Sequence, residues 1–163
     1  MARNDIVPFS SSRGGSDHIQ AYPLGASQTF DEGDPVVFSS GTLIEASNDP
    51  ASVAGVAAAR SSGQGGTVRT TGTMIQVNPL SSDQTFKTDN FATDGSSTAA
   101  TPTQANAVGA TAGFTVTGGV WFVDTGAGNH IVQIEKVLDT AGHDIANPDL
   151  STGTGNWVVF RGI

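Results

Sequence analysis

Residues Gly113-Phe114-Thr115-Val116-Thr117-Gly118-Gly119-Val120-Trp121-Phe122-Val123 form two β-rich runs around a Gly-Gly pair. β-Branched and aromatic side chains suit a pleated, half-buried surface, and paired glycines supply the positive φ angles of a tight hairpin. Downstream, Asp124 to Asn129 (DTGAGN) reads as a second turn, and His130 to Leu138 (HIVQIEKVL) as a full strand. Strict alternation would put Ile131, Gln133, Glu135 and Val137 on one face. Val132, Ile134, Lys136 and Leu138 would then lie on the other, so both faces are mixed and partly covered. Trp157-Val158-Val159-Phe160 supplies a last strand.

The same grammar extends upstream. Phe30-Asp31-Glu32-Gly33-Asp34 is a polar turn into Pro35-Val36-Val37-Phe38, and Ser39-Ser40-Gly41 turns the chain into Thr42-Leu43-Ile44-Glu45-Ala46. Two such runs joined by a short Ser/Gly connection make a hairpin. Val53 to Ala59 (VAGVAAA) is a third strand of small residues, which permit close backbone approach. Val68 to Val77 is expected as a strand pair or one bulged strand, closed by Asn78-Pro79. Phe86 and Phe91 anchor the next stretch. Gly95 to Thr103 (GSSTAATPT) is a long surface loop, since neither flank has a self-sufficient core. The expected fold is all-β, a compact β-barrel or sandwich. Residues 1–20 form an extended N-terminal arm, in which Ile6-Val7-Pro8-Phe9 is an apolar anchor ahead of a Ser/Gly run, and 21–163 form a single domain.

Composition narrows the function. Charged residues make up 13% of the chain, about half the usual share, so surface polarity rests on uncharged groups that are less costly to dehydrate against a partner. The net charge is −8 and only two residues, Lys87 and Lys136, are lysine. Such a surface repels phosphate backbones, so direct nucleic-acid binding is not expected. There is no cysteine, which removes disulfides, zinc-thiolate sites and thiol catalysis. The start lacks the apolar region of a signal peptide, and no apolar run is long enough for a membrane helix. Synthesis in the cytoplasm is the expectation.

Chemistry-bearing patterns are sparse. His18, His130 and His143 lack partners at metal-ligand spacing, and His143-Asp144 are neighbours that a strand would point apart. Asp31, Glu32 and Asp34 are the densest carboxylates, yet acid-Gly-Asp is ordinary turn chemistry and the spacing of a calcium loop is missing. The glycines at 63–66 and 126–128 precede no helix and no Gly-Lys-Ser/Thr, so they read as turns and not phosphate loops. No Gly-x-Ser-x-Gly elbow occurs. No catalytic residue, metal site or cofactor is assigned. Trp121 and Trp157 sit in Val/Phe-rich strands and are expected in the core.

The order of these motifs resembles the small capsid decoration, or cement, proteins of tailed bacteriophages. The likeness lies in Phe30 to Val37 (FDEGDPVV), the hairpin return Gly41 to Ile44, the strand Val53 to Ala58, and Gly119 to Thr125 (GVWFVDT) with Val132 to Asp139 after it. The resemblance implies a non-enzymatic virion protein, often a homotrimer, on the outer capsid surface, where it binds the major capsid protein and resists pressure from packaged DNA. Its arm would lie along the capsid protein, held by Ile6, Val7, Pro8 and Phe9 and by edge-strand hydrogen bonds. A tail-associated or carbohydrate-binding β-sandwich adhesion module is the alternative.

Overall fold

The computed structural model describes residues 6–11, 19–63 and 66–163. No α-helix occurs among them; the chain forms twelve strands. They are β1 (Val7–Ser11), β2 (Gln20–Pro23), β3 (Pro35–Ser39), β4 (Thr42–Glu45), β5 (Gly55–Ala57) and β6 (Met74–Pro79). There follow β7 (Gln84–Thr88), β8 (Phe91–Ala92), β9 (Thr111–Thr117), β10 (Val120–Asp124), β11 (Val132–Leu138) and β12 (Trp157–Gly162). A seven-stranded sheet has the order β1-β7-β12-β11-β9-β10-β8, and a five-stranded sheet the order β2-β6-β5-β3-β4. The two pack together as an all-β sandwich.

Both expected hairpins form through two-residue turns. Gly118 and Gly119 have φ of 57° and 78° between β9 and β10, and Ser40 and Gly41 have 49° and 82° between β3 and β4. Positive φ at both central positions matches the right-handed twist of the flanking strands. The register then turns Phe114 and Val116 to the same side as Val123 and Trp121. That side carries the larger core, with Phe86, Phe91, Ile134, Val158 and Phe160 among its buried residues. Val56 and Ala46 enter the same core from the five-stranded layer.

The smaller sheet also has a core of its own, made of Leu24, Phe30, Val36, Leu43, Ala57, Ile75 and Val77. It curls until its two edges meet: Leu24 bridges Leu43 in parallel fashion, and the Gly25 N–H donates to the Leu43 carbonyl at 2.8 Å. Gly55 lies where β5 closely approaches β6. A Cβ there would stand 2.2 Å from the Asn78 carbonyl oxygen, so glycine at this position is a steric requirement.

Three expectations need adjustment. Strict alternation along β11 fails because its pairing with β12 shifts between Ile134 and Lys136. The bulge at Glu135 lets Val132, Ile134 and Val137 all reach the core, as one extra residue inverts the facing of everything after it. Between Val68 and Val77 only β6 is a strand. Val68 makes a lone bridge to Ser62, and a turn follows at Gly72 (φ 87°), where the Thr73 N–H donates to the Thr70 carbonyl. The loop at 95–103 is mostly exposed, and its first half is also strapped to a buried carboxylate, described below. Trp121 is buried, but Trp157 is only half-buried, because the β12 register places it on the outer face of the large sheet.

Candidate functional site

The segment singled out as an anchor is a strand. Val7 pairs with Lys87, Pro8 with Phe86 and Ser10 with Thr85, an antiparallel ladder that places β1 at the margin of the large sheet. Ile6 is 1% exposed and belongs to the larger core, while Val7 and Pro8 are half-buried. The remaining arm residues, 1–5 and 12–18, lie outside the described residues. Of the four anchor side chains, Phe9 faces solvent, at 40% exposure. Val7 pairs with outward-facing Lys87, so alternation puts Phe9 on the outer face, and the ladder is irregular just there, between Pro8 and Ser10.

The ring lands on positive charge. Lys87 Nζ lies 5.5 Å and Lys136 Nζ 5.9 Å from the centre of Phe9, and Lys87 Nζ also lies 4.9 Å from the centre of Trp157. Register explains the convergence. Val159 of β12 pairs with Lys87 of β7 on one side and with Lys136 of β11 on the other, so the three share the outward face. Val159 is fully buried there, because long lysine stems and flat rings cover apolar surface while keeping the ammonium groups wet. Arg161 stands on the same face, its Nε 2.8 Å from Glu135 Oε1 and its Nη2 donating to Gln133 Oε1 at 3.2 Å. Both lysines of a chain with net charge −8 thus meet on one aromatic patch. Neither ammonium has a carboxylate within ion-pair distance among the described residues.

Sheet edges offer a partner less. Pro8 has no N–H to give, and the bulge beside it interrupts the repeat that an added strand needs. At the opposite margin β8 has two residues, and Ala99 and Ala100 already bond across it. The margins of the small sheet close on each other. The patch therefore presents side chains, not an open ladder, and the backbone pairing expected of the arm is made to β7 of the same chain.

The other candidates from the sequence take the following places. The Asp34 carboxylate accepts the Asp31 N–H at 2.8 Å across the Gly33 turn (φ 92°), which is turn chemistry. No three His, Asp or Glu side chains gather to hold a metal ion among the described residues. His130 Nδ1 lies 2.8 Å from Thr111 Oγ1, and His143 Nδ1 is 3.8 Å from Asp139; His18 lies outside the described residues, as do Gln64 and Gly65 of one glycine turn.

Three carboxylates that the sequence reading left aside organise the loops. Asp124, fully buried, accepts N–H groups of Gly95, Ser97 and Gly126 and the Thr115 hydroxyl. Asp49 accepts the N–H groups of Gly128 and Asn129, each at 3.0 Å, and Asn129 Nδ2 returns a bond to the Asp49 carbonyl. Asp139, also fully buried, accepts those of Thr152, His143 and Ala141. The Thr152 and His143 N–H groups, with the nearby His143 ring, hold its carboxyl below the ordinary carboxylate range. For Asp124 and Asp139 the signal was the Asx-turn habit of an Asp in a turn sequence, Asp124-Thr125-Gly126 and Asp139-Thr140-Ala141, whose carboxylate accepts the N–H two residues on; the partners of Asp49 are remote in sequence.

The chain matches no protein-family model, no curated protein and no solved structure.

Proposed function

We propose that this chain is a non-enzymatic structural virion protein that binds the outer surface of a tailed-phage capsid lattice, as a homotrimer on the major capsid protein, and stabilises the head. The patch of Phe9, Lys87, Trp157 and Lys136 carries this reading. Half-exposed aromatic rings are among the side chains enriched at protein interfaces, and one of them, Phe9, sits on the strand the sequence marks for contact. The family-like motifs support it by their placement. Phe30 to Val37, Gly41 to Ile44 and Val53 to Ala58 lie in the curled sheet, Gly119 to Thr125 holds β10 of the open sheet, and Val132 to Asp139 holds β11, which carries Lys136. Three copies docking together would multiply a modest contact.

Co-sedimentation with expanded empty heads of the phage whose genome encodes the chain tests the reading. Wild type should pellet with the heads, and the Phe9→Ala/Trp157→Ala variant should stay in the supernatant while remaining folded. Wild type that stays in the supernatant, or a gene that lies outside any phage genome, overturns it.

The adhesion-module alternative has one observation in its favour. Phe38, 51% exposed, stands edge-on to Tyr22 at 4.7 Å on the curled sheet, a platform on which a sugar ring could stack. Glycan-array binding lost in Phe38→Ala would select this alternative.

A further inference from the structure

We infer that β1 is an exchangeable strand: in the assembled protein, Ile6 to Ser11 of one copy seats on β7 of a second copy and delivers Phe9 to that copy's lysine patch. The inference concerns contact between copies of this chain and stands whether or not the partner is a capsid.

Four observations support it. First, β1 is marginal to its sheet and, among the described residues, pairs with β7 alone, while β7 keeps β12 on its other side. Removing β1 leaves six strands in their ladder. Second, among the described side chains of residues 6–9, only Ile6, just ahead of β1, is buried in the larger core. Third, β1 is not sealed against the layer below. A cleft of about 250 Å³ runs between Ile6, Val7 and Pro8 on one wall and Gly33, Ala57 and Gln76 on the other. Asn78, 4% exposed, lines it with an Oδ1 that finds no hydrogen-bond partner among the described residues. A strand flanked by an open cleft, and weakened by a proline and a bulge, belongs to the part of a fold that opens first. Fourth, eight residues, Ser12 to Ile19, separate β1 from β2, with Gly14-Gly15 among them. Such a stretch reaches at most about 29 Å, enough to hand the strand to an adjoining molecule.

Exchange conserves every contact, because the second copy presents the same β7 edge, the same pocket for Ile6 and the same pair of lysines for Phe9. What changes is the tether. Contacts that cost nothing to lose within one chain then hold two chains together, and donation around a closed ring satisfies every copy. The patch of Lys87, Trp157 and Lys136 is incomplete until a neighbour supplies its ring.

The chain has no cysteine, so paired cysteines give a clean test. Val7 and Lys87 face each other in the ladder, at the separation a disulfide spans. The full-length Val7→Cys/Lys87→Cys variant is purified as its soluble size-exclusion peak, oxidised and run on a non-reducing denaturing gel. Exchange predicts covalent multiples of the 16.5 kDa chain, collapsing to one band on reduction. A single band at one chain mass overturns the inference, whether the thiols are joined within the chain or still free. Ser10→Cys/Thr85→Cys, the next facing pair, repeats the measurement should the first variant fold poorly, and the same two outcomes decide it.

Discussion

The two sheets solve the edge problem in opposite ways. The five-stranded sheet curls until Leu24 meets Leu43, and so encloses Phe30 and Ile75 in a core it shares with nothing else. The seven-stranded sheet stays open, with a bulged, proline-bearing strand at one margin and a two-residue strand at the other. Closure uses up the backbone groups that could bond to a partner, whereas an open sheet keeps a face and a removable strand available. Both lysines, half-buried Trp157 and exposed Phe9 collect on the open one.

The comparison breaks most visibly if the two cores melt apart. Phe160 stacks on Phe86 at 5.9 Å and meets Phe114 edge-on at 5.8 Å in the larger core. Truncating it to Ala should cost about 3–5 kcal/mol. Phe30→Ala in the curled sheet should cost a similar amount. The only tyrosine, Tyr22, lies on the curled sheet and both tryptophans on the open one, so near-ultraviolet signals report on the sheets separately. Because Val56 and Ala46 join the larger core from the second layer, we expect one transition with both signals lost together in either variant. A Tyr22 signal that melts ahead of tryptophan in Phe30→Ala would make the curled sheet an independent unit.

A smaller effect should follow from cutting the strap between the layers. Asp49 leaves the β4–β5 connection to accept two N–H groups from the turn before β11. Hydrogen bonds to a charged group are worth about 1.5–3 kcal/mol each, less what water recovers. Asp49→Ala should lower stability by about 2 kcal/mol. It should also speed amide exchange at Gly128 and Asn129 while leaving β12 amides slow. Unchanged exchange at those two amides would mean the strap does not couple the sheets.

Acid should loosen the long loop before β12. The N–H groups of Thr152 and His143 hold the Asp139 carboxyl below its ordinary range, so the unfolded chain takes up a proton there more readily than the folded one. The stability this group contributes is therefore full above the ordinary carboxylate pKa and is lost as pH falls through the lower folded value. Urea midpoints measured from pH 7 down to pH 3 should drop with acid. Asp139→Asn should start lower at pH 7 and fall less steeply. An identical acid slope in the variant would assign the acid sensitivity to other carboxylates.

Much of this architecture was legible in the residues. The Gly118-Gly119 and Ser40-Gly41 turns fixed two hairpins, and β-rich runs placed β3, β4, β9, β10 and β12 close to where they form. The bulge at Glu135 was not legible, because an extra residue leaves no mark on hydrophobic alternation except the pair Val137-Leu138, both buried. The outward facing of Trp157 followed from that register and could not be read from its Val/Phe neighbours. Ile6 to Phe9 was recognisable as an apolar anchor, yet its seat on β7 is a contact between segments far apart in sequence. The lysine patch was hidden for the same reason. Two lysines in the whole chain were visible as a count, but only the order β7-β12-β11 brings them to either side of one valine.

The smallest expected effect on stability falls on that patch, and there the effects on folding and on binding should part. A cation over an exposed ring contributes about 0.5–1 kcal/mol, and holding two long side chains in place consumes part of it. Lys136→Gln touches one ring and keeps a long apolar stem over Val159, so its urea midpoint should stay within about 0.5 kcal/mol of wild type. Binding to a partner surface should respond far more, since the ammonium is one of only two on a face that is otherwise the counterpart of an acidic chain. Wild-type binding should also weaken between 50 and 300 mM salt, as screening shortens the reach of exposed charge to a few ångströms, and Lys136→Gln should show a shallower salt dependence. A variant that binds as wild type does at both salt concentrations would leave the aromatic rings to account for the contact and make the lysines mere cover for Val159.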